Sequence, residues 1–364
     1  SSLYSMSTLA AGLLLSVVGR LADRYGQKKM TIIVAGILGI SCLWNSFISS
    51  LWMLMLGFFV GRLTGQGSMT LLPYTIVPKW FIKRRAFALS LASVGGVVGS
   101  AVIPPFNTML IQSWGWPNTW RLWTFLLWLF FIPIIYFFQH NKPEDIGLLP
   151  DNGDLSSIEK DKSTKAEKKE MGSWTIKEAF KTHAFWFILY CHQVLPMIVT
   201  GVTFHFISIL GIKGLTPATA AYVLSLIALA SFPTTLIAGY ILDHIKVHYA
   251  MAFACLLQLI SLIILLNATT VLGGMIYAVI QGMGLGLNNV CNGVVWPNYF
   301  GTKYLGSIKG LAMTILVIGT AFGPLPLGIG FDLFGGYTEA LICFMVFPAL
   351  GVIGALISPK PIKK

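Results

Sequence analysis

Long apolar runs separated by short polar breaks organise this chain. Eleven runs stand out, at residues 3–19, 30–48, 51–77, 84–111, 119–139, 184–210, 217–240, 249–267, 271–297, 307–332 and 337–358. An α-helix needs about 20 apolar residues to cross a hydrocarbon core, so the pattern predicts eleven membrane-crossing helices. A transmembrane barrel would show short alternating segments instead. Gly95-Gly96 and Pro104-Pro105 fall inside runs, which membrane helices tolerate because their neighbours satisfy the freed backbone groups.

Composition agrees with that solvent. Charged residues make up 10% of the chain and hydrophobic ones 55%, against about 25% charged in soluble domains, and the mean hydropathy is +0.76. A net charge of +12 would suit nucleic acid, but the positions of the charges exclude that partner. Of the 25 Lys and Arg, Arg121 and Lys213 fall in loops of one side and Arg62 inside a run. The rest lie in the loops at 20–29, 78–85, 140–183, 244–248 and 299–309 or in the Lys360, Lys363, Lys364 tail. The positive-inside rule makes those loops and the C-terminus cytoplasmic, so the chain reads as a multi-pass plasma-membrane protein. Cys42, Cys191, Cys255, Cys291 and Cys343 are scattered without paired spacing, which indicates neither a disulfide framework nor a metal site. No cleavable signal pattern opens the chain.

An internal repeat runs through these helices. Gly19 and Asp23 of GRLAD recur as Gly239 and Asp243 of GYILD, an offset of 239 − 19 = 220. Gly65, Gly67, Pro78 and Phe81 recur as Gly284, Gly286, Pro297 and Phe300 at 219, and Gly95 and Gly99 as Gly319 and Gly323 at 224. Two halves of like topology about an axis along the membrane normal are thereby predicted. They are a bundle at 1–139 and a bundle at 184–364, joined by a cytoplasmic linker at 140–183. The helix at 184–210 precedes the GYILD helix, and no counterpart precedes GRLAD, so the expectation is twelve helices less the first.

The loop GRLADRYGQKK at 19–29 resembles the signature between the second and third helices of the major facilitator superfamily, with Gly19, Asp23, Arg24, Gly26, Lys28 and Lys29 in pattern. The resemblance implies an all-α fold of two six-helix bundles and transport by alternating access. Gly19 is read as a close packing point, and Asp23 as an acceptor for cations and for the positive end of a nearby helix. Asp23 is expected to pair with Arg84 or Arg85 and to face the helix beginning near Ser307, closing the cytoplasmic side. The second copy keeps Asp243 but replaces the basic pattern with His244 and Lys246, which predicts a weaker gate there.

Arg62, in GRLTGQG, resembles the fourth-helix signature of the same superfamily. A charge in mid-helix costs about 2.5–3.5 kcal/mol on insertion scales, so Arg62 should face a cavity or a polar partner, either binding an anion or tying helices together. Gln66 lies one turn further on. Asn288, Asn292 and Trp296, at i, i+4 and i+8, share one helix face and suit either a polar substrate or interhelical bonding. Prolines following GGVVGSA and GTAFG point to bent, closely packed helices. KPEDIGLLPDNG at 142–153 and WTIKEAFKTHAFWFILY at 174–190 resemble the linker and seventh-helix entry of the oxalate/formate and monocarboxylate porter branch. That branch implies small organic anions as substrates. Its carriers commonly place a cation in the eighth or eleventh helix, and the runs at 217–240 and 310–331 hold none, leaving Arg62 as the intramembrane cation.

All 13 acidic residues map to loops or helix ends, so no buried carboxylate is at hand for proton coupling. His205, in the seventh helix and near mid-depth by its position, is the candidate to take a coupling proton, or else a structural hydrogen-bonding residue. No G-x-S-x-G elbow, H-E-x-x-H pair or Walker lysine is present, which argues against an enzyme and against ATP-driven transport. The reading is a monomeric secondary transporter without a cofactor, moving a small organic solute, by preference a monocarboxylate or other anion, by H+ symport or exchange. A lipophilic-compound exporter is the alternative within transporters, and a non-transporting receptor or scaffold the alternative outside them.

Overall fold

The computed structural model describes residues 2–152 and 173–361, and these are almost entirely helical. In chain order the helices are α1 (Ser2–Tyr25), α2 (Gln27–Asn45), α3 (Leu51–Gly61), a π-helical segment (Arg62–Ser68), α4 (Met69–Trp80), α5 (Arg85–Phe125), a second π segment (Leu126–Phe131) and α6 (Ile132–Phe138). After the linker come α7 (Ile176–Ala179), α8 (His183–Ile212), α9 (Pro217–Leu242), α10 (Val247–Asn267), α11 (Val271–Phe300), α12 (Leu305–Phe322), α13 (Pro324–Phe334) and α14 (Thr338–Leu356). Among the described residues, seven helices are long and apolar enough to cross a membrane. The chain is a multi-pass membrane protein.

Sequence boundaries shift in two places. The break expected between 111 and 119 narrows to a single left-handed residue, Gly115 at φ 76°, inside the helical stretch Arg85–Phe125; only glycine reaches that conformation without a steric penalty. The run at 307–332 opens two residues earlier, at Leu305, so Lys309, where that run overlaps the loop at 299–309, lies inside the first turns of α12.

One compact unit comprises Ser1–Lys83, Val98–Ile176 and Phe300–Val317. Its core holds Ala22, Met30, Val34 and Leu72. Here α1 packs on the first π segment, with Gly67 against the Leu15 side chain, and Ser7 Oγ donates to the Met55 carbonyl at 3.2 Å. The opening of α12 meets α1 backbone to backbone: a Cβ at Gly19 would fall on the Gly306 carbonyl, and one at Gly310 on that of Leu15. Thr314 Oγ1 donates across the same seam to the Gly12 carbonyl at 2.6 Å.

The other unit comprises Arg84–Val97, Lys177–Tyr299 and Ile318–Lys364. Thr182 caps α8 and Thr216, followed by Pro217, opens α9, as helix starts favour. Gly323, where α12 gives way to α13, lies against the backbone of Met197 and Gly201 on α8, and Gly319 lies under Gln193. Their repeat counterparts differ, since a Cβ at Gly95, Gly96 or Gly99 would meet no described atom within 4 Å. Lys213 Nζ donates to the Leu265 and Leu266 carbonyls at 2.8 and 2.5 Å, satisfying the end of α10.

Candidate functional site

Asp23, one turn from the end of α1, accepts from the Gly306 N–H at 2.9 Å, the Ser307 N–H at 2.7 Å and the Ser307 hydroxyl at 2.7 Å. It thus caps the opening turn of α12, where unsatisfied N–H groups and the positive end of the helix dipole favour a carboxylate. The expected approach to the helix near Ser307 is present. The expected pairing with Arg84 or Arg85 is not: Arg85 is buried and its Nη1 donates to Asn298 Oδ1, while Arg84 stays exposed. A second carboxylate repeats the cap. Asp243 accepts from the Ala86 N–H at 2.8 Å and the Phe87 N–H at 3.2 Å, at the start of α5. The donors and acceptors keep one offset, since 306 − 86, 307 − 87 and 243 − 23 all equal 220. The second copy, read as degenerate because it lost basic residues, retains the contact because those residues take no part in the cap.

Gly26, at φ 88°, lets the chain turn between α1 and α2. A Cβ there would crowd Asn141, whose side-chain oxygen accepts the Lys28 N–H at 2.9 Å. Arg24 is exposed, with its guanidinium 5.4 Å from the Tyr25 ring centroid. Lys79 Nζ donates to Gln27 Oε1 at 2.7 Å. Burial, the largest effect, raises the Asp23 carboxyl above its ordinary value, opposed by the Ser307 and Gly306 bonds and by the charge of Lys79.

Arg62 begins the π segment and is half-buried. The widened turn is visible in its bonds: the Met69 N–H reaches back five residues to the Thr64 carbonyl, and Ser68 Oγ donates to the Leu63 carbonyl at 2.6 Å. Such segments concentrate at functional sites. Gln66 and Thr70 are exposed and Tyr74 is half-buried, while Leu71, Leu72 and Thr75 on the other side are buried. Lys309, 3% exposed, holds its ammonium 3.9 Å from the Tyr74 ring centroid.

In the other unit, the Asn288–Asn292–Trp296 face divides. Asn292 is half-buried and Asn288 buried, but Trp296 has no exposed surface and lies edge-on to Phe185 and His192, each at 5.8 Å between centroids. That is interior packing between α11 and α8 and not a cavity wall. His205 sits seven residues before the end of α8, toward the loop carrying Tyr337, and so away from mid-depth. Its Nε2 is 3.1 Å from the Pro324 carbonyl and its Nδ1 3.3 Å from the Tyr337 hydroxyl, which lies 2.9 Å from Ser208 Oγ. A carbonyl only accepts, so Nε2 carries hydrogen. The Tyr337 hydroxyl donates to Ser208 Oγ.

Isolated amides escaped the sequence reading. Gln258 of α10 and Gln281 of α11 bond reciprocally at 3.0 Å, and Ser261 Oγ donates to Gln281 Oε1 at 2.8 Å. Gln281 also lines a cavity of about 280 Å³ together with Thr203, Ser231 and Tyr277. Single amides 281 − 258 = 23 residues apart carry no periodic signal; only an amide's cost in a membrane helix pointed to a partner.

The family model of the Major Facilitator Superfamily matches residues 1–324. The nitrite extrusion protein of Bacillus subtilis (strain 168) is 25% identical over 347 residues, spanning 92% of this chain and 79% of its own. Monocarboxylate transporter 2 of Mus musculus is 24% identical over 343 residues, spanning 87% and 67%. The crystal structure of the human organic anion transporter MFSD10 (TETRAN) superposes with a TM-score of 0.74 at 12% identity, covering 97% of this chain and 82% of that one; at that identity the likeness is one of fold.

Proposed function

Because this chain belongs to the Major Facilitator Superfamily, and is therefore a transporter rather than an enzyme, we propose that its solute is a small organic anion of the monocarboxylate class. The carrying observation is Arg62. It is a permanent cation in mid-helix, held on a π segment beside the exposed Gln66, and charges at such positions mark substrate pathways. Two relatives support an anion, since the names of the Bacillus and mouse proteins are nitrite extrusion protein and monocarboxylate transporter 2, and the second supports the carboxylate class.

In this reading residues 1–139 and 184–364 are the two moving halves and 140–183 the cytoplasmic linker. Asp23 and Asp243 each tie a helix of one repeat half to a helix opening in the other. Both ties lie at the basic, cytoplasmic end of their helices. They close that side and separate when the transporter opens inward. Gln66, Asn288 and Asn292 supply neutral hydrogen bonds to the solute, while Trp296 backs the wall through packing. His205 takes the coupling proton, beside the Tyr337 hydroxyl that donates to Ser208.

The test is uptake of radiolabelled pyruvate into proteoliposomes under a pH gradient. Saturable, gradient-driven uptake that is lost in Arg62→Gln supports the reading. Well-folded protein without carboxylate flux overturns it in favour of a lipophilic-compound exporter.

A further inference from the structure

Four polar side chains stand at steps of four along one rod: Arg62, Gln66, Thr70 and Tyr74. In an α-helix a step of four overshoots one turn, and in a π segment it falls short. The two drifts oppose across the junction at Met69, so the four residues keep one face. Gln66 and Thr70 on it are exposed, and the face ends at Tyr74 under the ammonium of Lys309.

Lys309 is tied to the neighbouring cap. It follows Gly306 and Ser307, whose N–H groups bind Asp23, and precedes Gly310, which lies against the backbone of Leu15 and Ser16. Its backbone thus belongs to the same opening turn of α12 that Asp23 holds. The position is also a poor one for a cation, being buried and near the positive end of a helix. The Tyr74 ring faces the ammonium there, and a cation at such a place also attracts an anion.

We propose that Lys309 is the second cation on the solute's path, screened by Tyr74 while the Asp23 cap is formed and given up to the anion at the release step. The anion meets Arg62 first, passes Gln66 and Thr70, and then replaces the Tyr74 ring as the partner of Lys309, which frees the α12 opening from Asp23. This inference rests on the anionic reading of the solute given above.

Two measurements on the purified protein test it. The first is pulse labelling of amines with acetic anhydride, read at Lys309 by mass spectrometry in lipid nanodiscs. Lys309 labels slowly in the wild type and about tenfold or more faster in Asp23→Asn, and pyruvate protects it again in that variant. The second is pyruvate flux. Lys309→Gln keeps the external KM within about twofold and lowers turnover about tenfold or more, unlike Arg62→Gln, which abolishes uptake; Lys309→Arg restores turnover in part. Absence of wild-type pyruvate flux removes the anionic reading itself. Wild-type turnover in Lys309→Gln, or labelling of Lys309 indifferent to Asp23→Asn, overturns this proposal while leaving that reading intact.

Discussion

Lys309 and Tyr74 form a buried cation–π pair, with the ammonium 3.9 Å from the ring centroid. Desolvated pairs of this kind are worth about 2 kcal/mol or more. Tyr74→Leu should therefore lower the apparent Tm in detergent by several degrees, and Tyr74→Phe, which keeps the ring, by less. Equal losses in the two variants would show that the hydroxyl, and not the ring face, holds Lys309.

The two aspartate caps predict matched effects. Asp23→Asn and Asp243→Asn each keep an acceptor but remove the charge from a helix N-terminus, an interaction worth about 0.3–2 kcal/mol. Each should raise maleimide labelling of a nearby buried cysteine, Ile308→Cys for the first cap and Leu89→Cys for the second, by up to about thirtyfold. A large effect for Asp23 and none for Asp243 would restore the view that the second copy is degenerate.

Sterics make a sharper test than charge. A methyl at Gly19 or Gly306 would fall on the opposing carbonyl, so Gly19→Ala and Gly306→Ala should each hold α1 and α12 apart with Asp23 intact. Ile308→Cys labelling should exceed that in Asp23→Asn. Labelling at the wild-type rate would show that the helices slide to make room.

The amide pair between α10 and α11 is predicted to be coupled. Gln258→Leu or Gln281→Leu alone leaves a buried partner without its bond, at a cost of about 1–3 kcal/mol. The double variant should lose less than the sum of the two, by a measurable interaction energy in thermal unfolding.

The all-helical fold, the repeat and the meeting of Asp23 with the helix near Ser307 could be read from sequence, because hydrophobic run length and Gly–Asp spacing carry that information directly; of the eleven runs, seven helices among the described residues are long and apolar enough to cross a membrane. The partners of the charged groups could not. Asp23 and Asp243 bond main-chain N–H groups, which no side-chain pattern records, and Arg85 goes to the neutral Asn298. Lys309 fell where the run at 307–332 overlaps the loop at 299–309, and its burial against Tyr74 in the opening of α12 left no mark in the sequence pattern. Likewise Gly95 and Gly99 match Gly319 and Gly323 in sequence, but only the latter pair packs against another helix among the described residues.

Main-chain capping also bears on how such a protein varies. Where there is room for a side chain, as at the exposed Phe87, a contact made to the N–H group is indifferent to it, provided the position keeps its amide hydrogen. Substitutions there can accumulate without any compensating change at Asp243, so the two ends of that tie need leave no correlated trace in related sequences. Proline is the exception, because it removes the donor itself. An aspartate of this kind constrains the shape of its partner and leaves the partner's chemistry free to drift.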